Sequence, residues 1–231
     1  MPLQLVIGNK NYSSWSMRPW VLMRQLGIAF DEVKLRFDFT EGSAYRQTVA
    51  TLSPTGLVPV LVDDGFAVWD TLAIAEHLHE RFPGAGVWPR DAKARARARS
   101  LAAEMHSGFA ALRQHCQMNI EAALPDVGAR IWAEQDAVRR DVARLERMWS
   151  EQLAASGGPL LFGSFCAADA FYAPVVTRLR TYALPVSAAV RAYGERVLAL
   201  PGVAAWIDDA LAEHDFLDFE EPYRRLQDTG P

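Results

Sequence analysis

The stretch Pro83-Gly-Ala-Gly-Val-Trp-Pro89 divides this 231-residue chain into halves with different periodicities. Two prolines and two glycines within seven residues neither continue a helix nor hold a strand, so the chain changes element here. Before the break, strand and helix spacings alternate. Leu3–Ile7 reads as a strand, and a helix follows over Trp15–Gly27, stopped by Gly27. Asp31–Phe37 alternates like a strand, and Ala44–Leu52 suits a short helix. Leu57–Val62 and Phe66–Val68 form a hairpin around Asp63-Asp64-Gly65. Thr71–Phe82 is an amphipathic helix with Leu72, Ile74, Ala75, Leu78 and Phe82 on its apolar face. After the break no strand pattern recurs. Helical periods run over Ala92–Met118, Gly128–Ala154, Ala167–Tyr182, Ala188–Leu200 and Val203–Glu213. The expected organisation is an α/β domain over residues 1–83, a linker over 84–91 and an all-helical domain over 92–231.

Composition narrows the function classes. Half the residues are apolar and the net charge is −4, so neither nucleic acid nor an anionic membrane is an implied partner. In Lys93-Ala-Arg-Ala-Arg-Ala-Arg99 the cations fall on every second residue and spread around a helix, which reads as a solvated face. Two distant cysteines, Cys116 and Cys166, speak against a disulfide framework, a zinc site or a dithiol centre. His77 and His79 point to different faces of one helix, His106 and His115 are nine residues apart, and no metal is expected. No leader pattern or membrane-spanning apolar run is recognised, so the expectation is a soluble cytoplasmic protein.

Three segments carry chemistry. Tyr12-Ser-Ser-Trp-Ser-Met-Arg-Pro-Trp20 places serines where the first helix begins. Pro19 is expected in the first turn, which puts Ser13, Ser14 and Ser16 at or before the N-terminus. Hydroxyls there suit an anion, because unpaired N–H groups and the helix dipole act together. In Ser53-Pro-Thr-Gly-Leu-Val-Pro-Val60 the Val58-Pro59 bond is a candidate cis peptide, leaving the Val58 backbone free for an extended peptide. In Trp69-Asp-Thr-Leu-Ala-Ile74 either Asp70 or Thr71 caps the next helix, and an acid and a hydroxyl beside free N–H groups suit an amino-acid head group. Each segment alone also reads as an ordinary cap or strand start.

Together these segments resemble a cytosolic glutathione transferase of the bacterial kind, over nearly the whole chain. The resemblance implies an N-terminal thioredoxin-like domain followed by a helical-bundle domain, a homodimer, and glutathione as co-substrate. It assigns the cysteinyl backbone of glutathione to Val58 and a cis Pro59, and the γ-glutamyl end to Asp70 and Thr71. The opening cluster is similar to the zeta-class serine motif. Alignment on Arg18 places the thiolate-stabilising hydroxyl at Ser13, with Ser14 as alternate and Trp15 where that class has cysteine. The implied reaction is attack of the thiolate on small hydrophobic electrophiles. The alternatives are a glutathione-dependent cis-trans isomerase of the maleylacetoacetate type and a non-catalytic glutathione-binding member. By family layout Met105, Phe109 and Met118 form part of an apolar acceptor pocket. Lys34, Arg46 and Gln47 are candidates for the glycine end, and Arg95 and Arg99 for interface charges. Phe162-Gly-Ser-Phe-Cys-Ala-Ala-Asp169 resembles the family's helix-capping motif, with Cys166 where a capping hydroxyl belongs and Asp169 a folding residue.

Overall fold

The computed structural model describes residues 3–223. Strand β1 (Leu3–Ile7) is buried on both faces except at Gln4, as befits the interior of a sheet. It pairs in parallel with β2 (Phe30–Lys34) and antiparallel with β3 (Val60–Asp63), and β4 (Phe66–Val68) completes the order β2-β1-β3-β4. Asp64 and Gly65 link β3 to β4, both at positive φ, the two-residue turn whose twist matches a hairpin. Helices α1 (Ser14–Gln25), α2 (Ala44–Leu52) and α3 (Thr71–Arg81) complete this thioredoxin-like half. Leu57 and Val58, expected in a strand, precede β3, which leaves them bordering a cleft.

The second half is helical: α4 (Ala92–Ser107), α5 (Ala110–His115), α6 (Pro125–Glu134), α7 (Asp136–Ser156), α8 (Ala167–Thr181), α9 (Ala188–Leu198) and α10 (Pro201–Glu213). Residues 1–2 and 224–231 of the expected domains lie outside the described residues. The expected helix over Ala92–Met118 breaks at Gly108-Phe109. A Cβ at Gly108 would sit 2.7 Å from the Glu104 carbonyl oxygen, and Phe109 adopts a left-handed φ of 54° while its ring is buried. The helix expected from Gly128 starts earlier, with Pro125 in its first turn, and breaks at Gln135. Two isolated β-bridges, Leu160–Gly163 and Phe162–Ser164, interrupt a half expected to lack extended pairing.

Pro19 departs from expectation. With Ser13 at the N-cap, Pro19 lies inside α1 and outside its first turn, so the Trp15 carbonyl loses an intrahelical donor, a defect of about 3 kcal/mol in an isolated helix. Burial sustains the helix through it. From Ser14 to Met23 every residue but Trp15 is buried, because α1 packs against β1, α3, α8 and α10 together. The expected interface charges are also engaged within the chain. Arg99 makes a two-pronged contact from α4 to Glu76 on α3 (2.8 and 2.5 Å), and Arg95 Nη1 donates to the carbonyls of Pro89 and Arg90.

Candidate functional site

The loop leaving β1 bends into α1 through the Asn9 carbonyl, which accepts from the Tyr12 and Ser13 amides. This bend buries all three serines of the cluster. Ser13 Oγ donates to Ser16 Oγ at 2.7 Å, and Ser16 Oγ also accepts from the Gly8 amide at 3.2 Å. Ser14 Oγ accepts from Arg178 Nη2 on α8 at 3.1 Å. A hydroxyl that accepts from a guanidinium keeps its own proton for another acceptor.

A cavity of about 290 Å³ is bordered by Ser13, Ser14, Trp15, Val58, Arg113 and Arg178, among others. A second, of about 680 Å³, is bordered by Trp15, Val58, Pro59, Trp69 and Asp70. Trp15 and Val58 border both, so the three segments singled out in the sequence lie along one cleft. The Val58-Pro59 peptide is cis, as is Trp69-Asp70. Asp70 caps α3 by accepting from the Leu72 amide at 3.2 Å. Its other oxygen lies 3.2 Å from His106 Nε2, and Thr71 Oγ1 lies 3.4 Å from His106 Nδ1. His106 sits on α4, and no pattern in the sequence assigns it to the site. Its pKa is lowered first by burial and further by Arg18 and Arg113, with Asp70 opposing.

The residues expected to form an apolar acceptor pocket do not all border the cleft. Met105, on the buried face of α4, and Phe109, just after the break at Gly108, are packed in the core and border neither cavity. Met118 does border the smaller one, beside Arg113, Gln117 and Arg178. Arg178 Nε donates to the Cys116 carbonyl at 2.8 Å and Nη1 to the Pro174 carbonyl at 3.1 Å. Burial, more than any neighbour, lowers the pKa of Arg178 to about 10. Arg18 is lowered to about 9, by burial first and then by Arg178 and Arg113. Of the glycine-end candidates, Lys34 pairs with Glu213 at 3.0 Å, while Arg46 and Gln47 border a recess that shares Tyr45 and Leu57 with the smaller cavity. The C-terminal segment closes the far wall. Leu217 packs with Tyr12, Phe37, Tyr45 and Val49, and Tyr12 Oη donates to Glu221.

Burial pushes both cysteine thiols up, Cys116 to about 12, so neither offers a thiolate. Among the described residues no group of three His, Cys, Asp or Glu side chains is placed to hold a metal ion, and no helix is long and apolar enough to cross a membrane.

The glutathione S-transferase N-terminal domain model matches residues 12–81, and the C-terminal domain model matches residues 91–209. Maleylacetoacetate isomerase of Rattus norvegicus is 27% identical over 179 residues, covering 76% of this chain and 78% of that protein. Dichloromethane dehalogenase of Methylorubrum extorquens is 41% identical over 68 residues, which is 29% of this chain and only 23% of that protein's length. The crystal structure of a glutathione transferase homologue from Burkholderia gl BGR1, with bound glutathione, superposes with a TM-score of 0.68 at 25% identity. That match covers 92% of this chain and 100% of the other.

Proposed function

The chain belongs to the glutathione S-transferase family, and on that premise we propose that it activates the thiolate of glutathione with a serine hydroxyl for attack on small electrophiles. The observation that carries this reading is the cleft bordered by the serine cluster, the cis Val58-Pro59 pair and Asp70 at the start of α3, with Thr71 buried behind it against His106. In this arrangement Asp70 and Thr71 receive the γ-glutamyl end, the Val58 backbone holds the cysteinyl residue, and the sulfur meets the N-terminus of α1. A free thiol has a pKa of about 8.5. A hydroxyl donating to the sulfur, with the helix dipole behind it, favours the anion and lowers that value. Ser13 is the proposed donor. Its partner Ser16, already fixed by Gly8, donates a hydrogen bond back to Ser13 Oγ when the Ser13 hydroxyl turns to the sulfur. Ser14, bonded to Arg178, is the alternate. The active form is a cytoplasmic homodimer.

A glutathione-dependent cis-trans isomerase is the second reading, favoured by the similarity to rat maleylacetoacetate isomerase across three quarters of the chain. Retention on immobilised glutathione tests both readings. Conjugation of a chlorodinitrobenzene and isomerisation of maleylacetoacetate then divide them. For the mechanism, Ser13→Ala is expected to lower kcat by about 10²-fold or more and to move the thiolate pKa, read from the pH–rate profile, towards its free value. A loss confined to Ser14→Ala moves the role to Ser14. Unchanged profiles in both variants remove the serines from the reaction.

A further inference from the structure

His106 lies in the last turn of α4 and reaches across the boundary between the two halves to the start of α3. Its Nε2 is 3.2 Å from Asp70 Oδ2, its Nδ1 is 3.4 Å from Thr71 Oγ1, and the Trp15 ring meets it edge-on. The imidazole stands on a fixed support. Met105 beside it is buried in the core, and Glu104 makes a two-pronged contact to Arg144 of α7 (2.6 and 2.8 Å). Arg99 ties the same helix to Glu76, further along α3. His106 borders neither of the two cavities of the cleft, whereas Asp70 borders the larger one. Its influence on a ligand therefore passes through Asp70 and Thr71.

The Asp70 side chain is 52% exposed, so its orientation depends on the few groups that hold it. One oxygen accepts from the Leu72 amide at 3.2 Å, and the other faces His106. An ionised carboxylate only accepts, so Nε2 carries the proton of that contact and Nδ1 is left to accept from the Thr71 hydroxyl. A neutral imidazole thus satisfies both partners. Of the about four acceptor positions of a carboxylate, two remain for a donor in the larger cavity. We propose that His106 is a positioning residue for glutathione: from the helical half it holds Asp70 and Thr71 in the arrangement that receives the γ-glutamyl end, and protonation of its ring opposes binding. The proposal rests on Asp70 and Thr71 being the γ-glutamyl site.

The γ-glutamyl end brings an ammonium to Asp70. A second proton on the imidazole sets another cation on the same carboxylate, so the two compete, and Nδ1 no longer accepts from Thr71. The charged groups facing the ring are Asp70 of α3, Arg18 of α1 and Arg113 of α5. Burial, together with the two arginines, lowers the pKa of the ring against the opposing pull of Asp70. Glutathione affinity is therefore full above about pH 6.5 and falls as the pH drops below it towards the folded value.

Calorimetry with S-methylglutathione tests this, because that ligand has no thiol to titrate and its ammonium and carboxylates keep their charges at mildly acid pH. In the parent protein the affinity is expected to fall at least about threefold between about pH 7.5 and 5.0. His106→Gln offers an amide donor to Asp70 and an oxygen to Thr71, but nothing that titrates. It is expected to bind within about twofold of the parent at neutral pH and to lose the fall at acid pH. His106→Phe keeps a ring against Trp15 and removes both polar contacts. A loss of about tenfold at neutral pH is expected, the scale of one hydrogen bond to a charged group. A flat profile in the parent overturns the proposal with no variant needed. The same acid fall in the parent and in His106→Gln also overturns it, assigning the dependence to another group, and so does full affinity in His106→Phe. If the parent fails to bind S-methylglutathione at neutral pH, the glutathione reading itself falls and the proposal with it.

Discussion

His106 bridges the two halves of the protein at one residue of the cleft, with Asp70 and Thr71 on its two ring nitrogens and the Trp15 ring edge-on at 5.0 Å. The charged groups facing it are Asp70 at the start of α3, Arg18 on α1 and Arg113 on α5. Burial and the two arginines outweigh Asp70, so the folded imidazole binds its proton less readily than the unfolded one, whose pKa is about 6.5. A lowered histidine pKa means that stability is lost as pH falls through about 6.5 towards the folded value. Asp169 acts with the opposite sign. Burial raises its pKa to about 6, so its contribution, full below about 3.8, is lost as pH rises through about 6. The profile of the parent protein therefore mixes the two, and only a variant separates them. His106→Gln, which keeps an amide against Asp70 and Thr71, is expected to lose less stability than the parent between pH 7.5 and 5.5 in urea unfolding. An identical loss in both proteins would return the acid sensitivity to other groups.

At the scale of elements, α8 shows how a helix start can be built on an unsuitable residue. Cys166 occupies the N-cap, and Asp169 reaches back to accept from its amide at 3.1 Å while also binding the Leu161 amide and the Tyr193 hydroxyl. The acid half of the capping box is strong; the thiol half is a weak acceptor. Cys166→Ser supplies a better oxygen for the Asp169 amide and is expected to gain up to about 1 kcal/mol, a rise of about 2–4 °C in Tm. A lower Tm would mean that the apolar packing of the thiol, 2% exposed, outweighs the cap. Elements governed by local signals were legible in the sequence. Ser43 caps α2, Asp70 caps α3, and Asp64-Gly65 turns the hairpin, each by chemistry within a few residues. Three features set by packing were not: Pro19 inside α1, the left-handed Phe109, and the break at Gln135 in a run without glycine or proline. The site divides the same way. Ser13, Val58 and Asp70 lie in recognisable segments, whereas Arg178 meets Ser14 across 164 residues and Arg113 sits on a helix that periodicity alone merged with its neighbour.

At the scale of the molecule, the orientation of the helical half against the thioredoxin-like half decides whether the cleft exists, and polar contacts to the end of α10 help fix it. Lys10, 4% exposed at its side chain, holds Glu32 of β2 at 2.7 Å and Asp209 of α10 at 2.6 Å, with its ammonium over the Trp20 and Trp206 rings. Glu213 accepts from the Lys10 and Asn11 amides and from Lys34, and Asp215 pairs with Arg36. Lys10→Met keeps much of the apolar stem but leaves two carboxylates without their cation. Breaking a buried pair costs about 3–5 kcal/mol, and Asp209, 53% exposed, regains water on its side, so about 2–3 kcal/mol is expected. For a chain of this size that lowers Tm by about 5–10 °C. The loss should be nearly independent of salt, because the ammonium is shielded from solvent. A cost below about 1 kcal/mol would instead assign the domain orientation to the apolar packing of α1 against α8 and α10, with the polar ring around Lys10 merely accommodated by it.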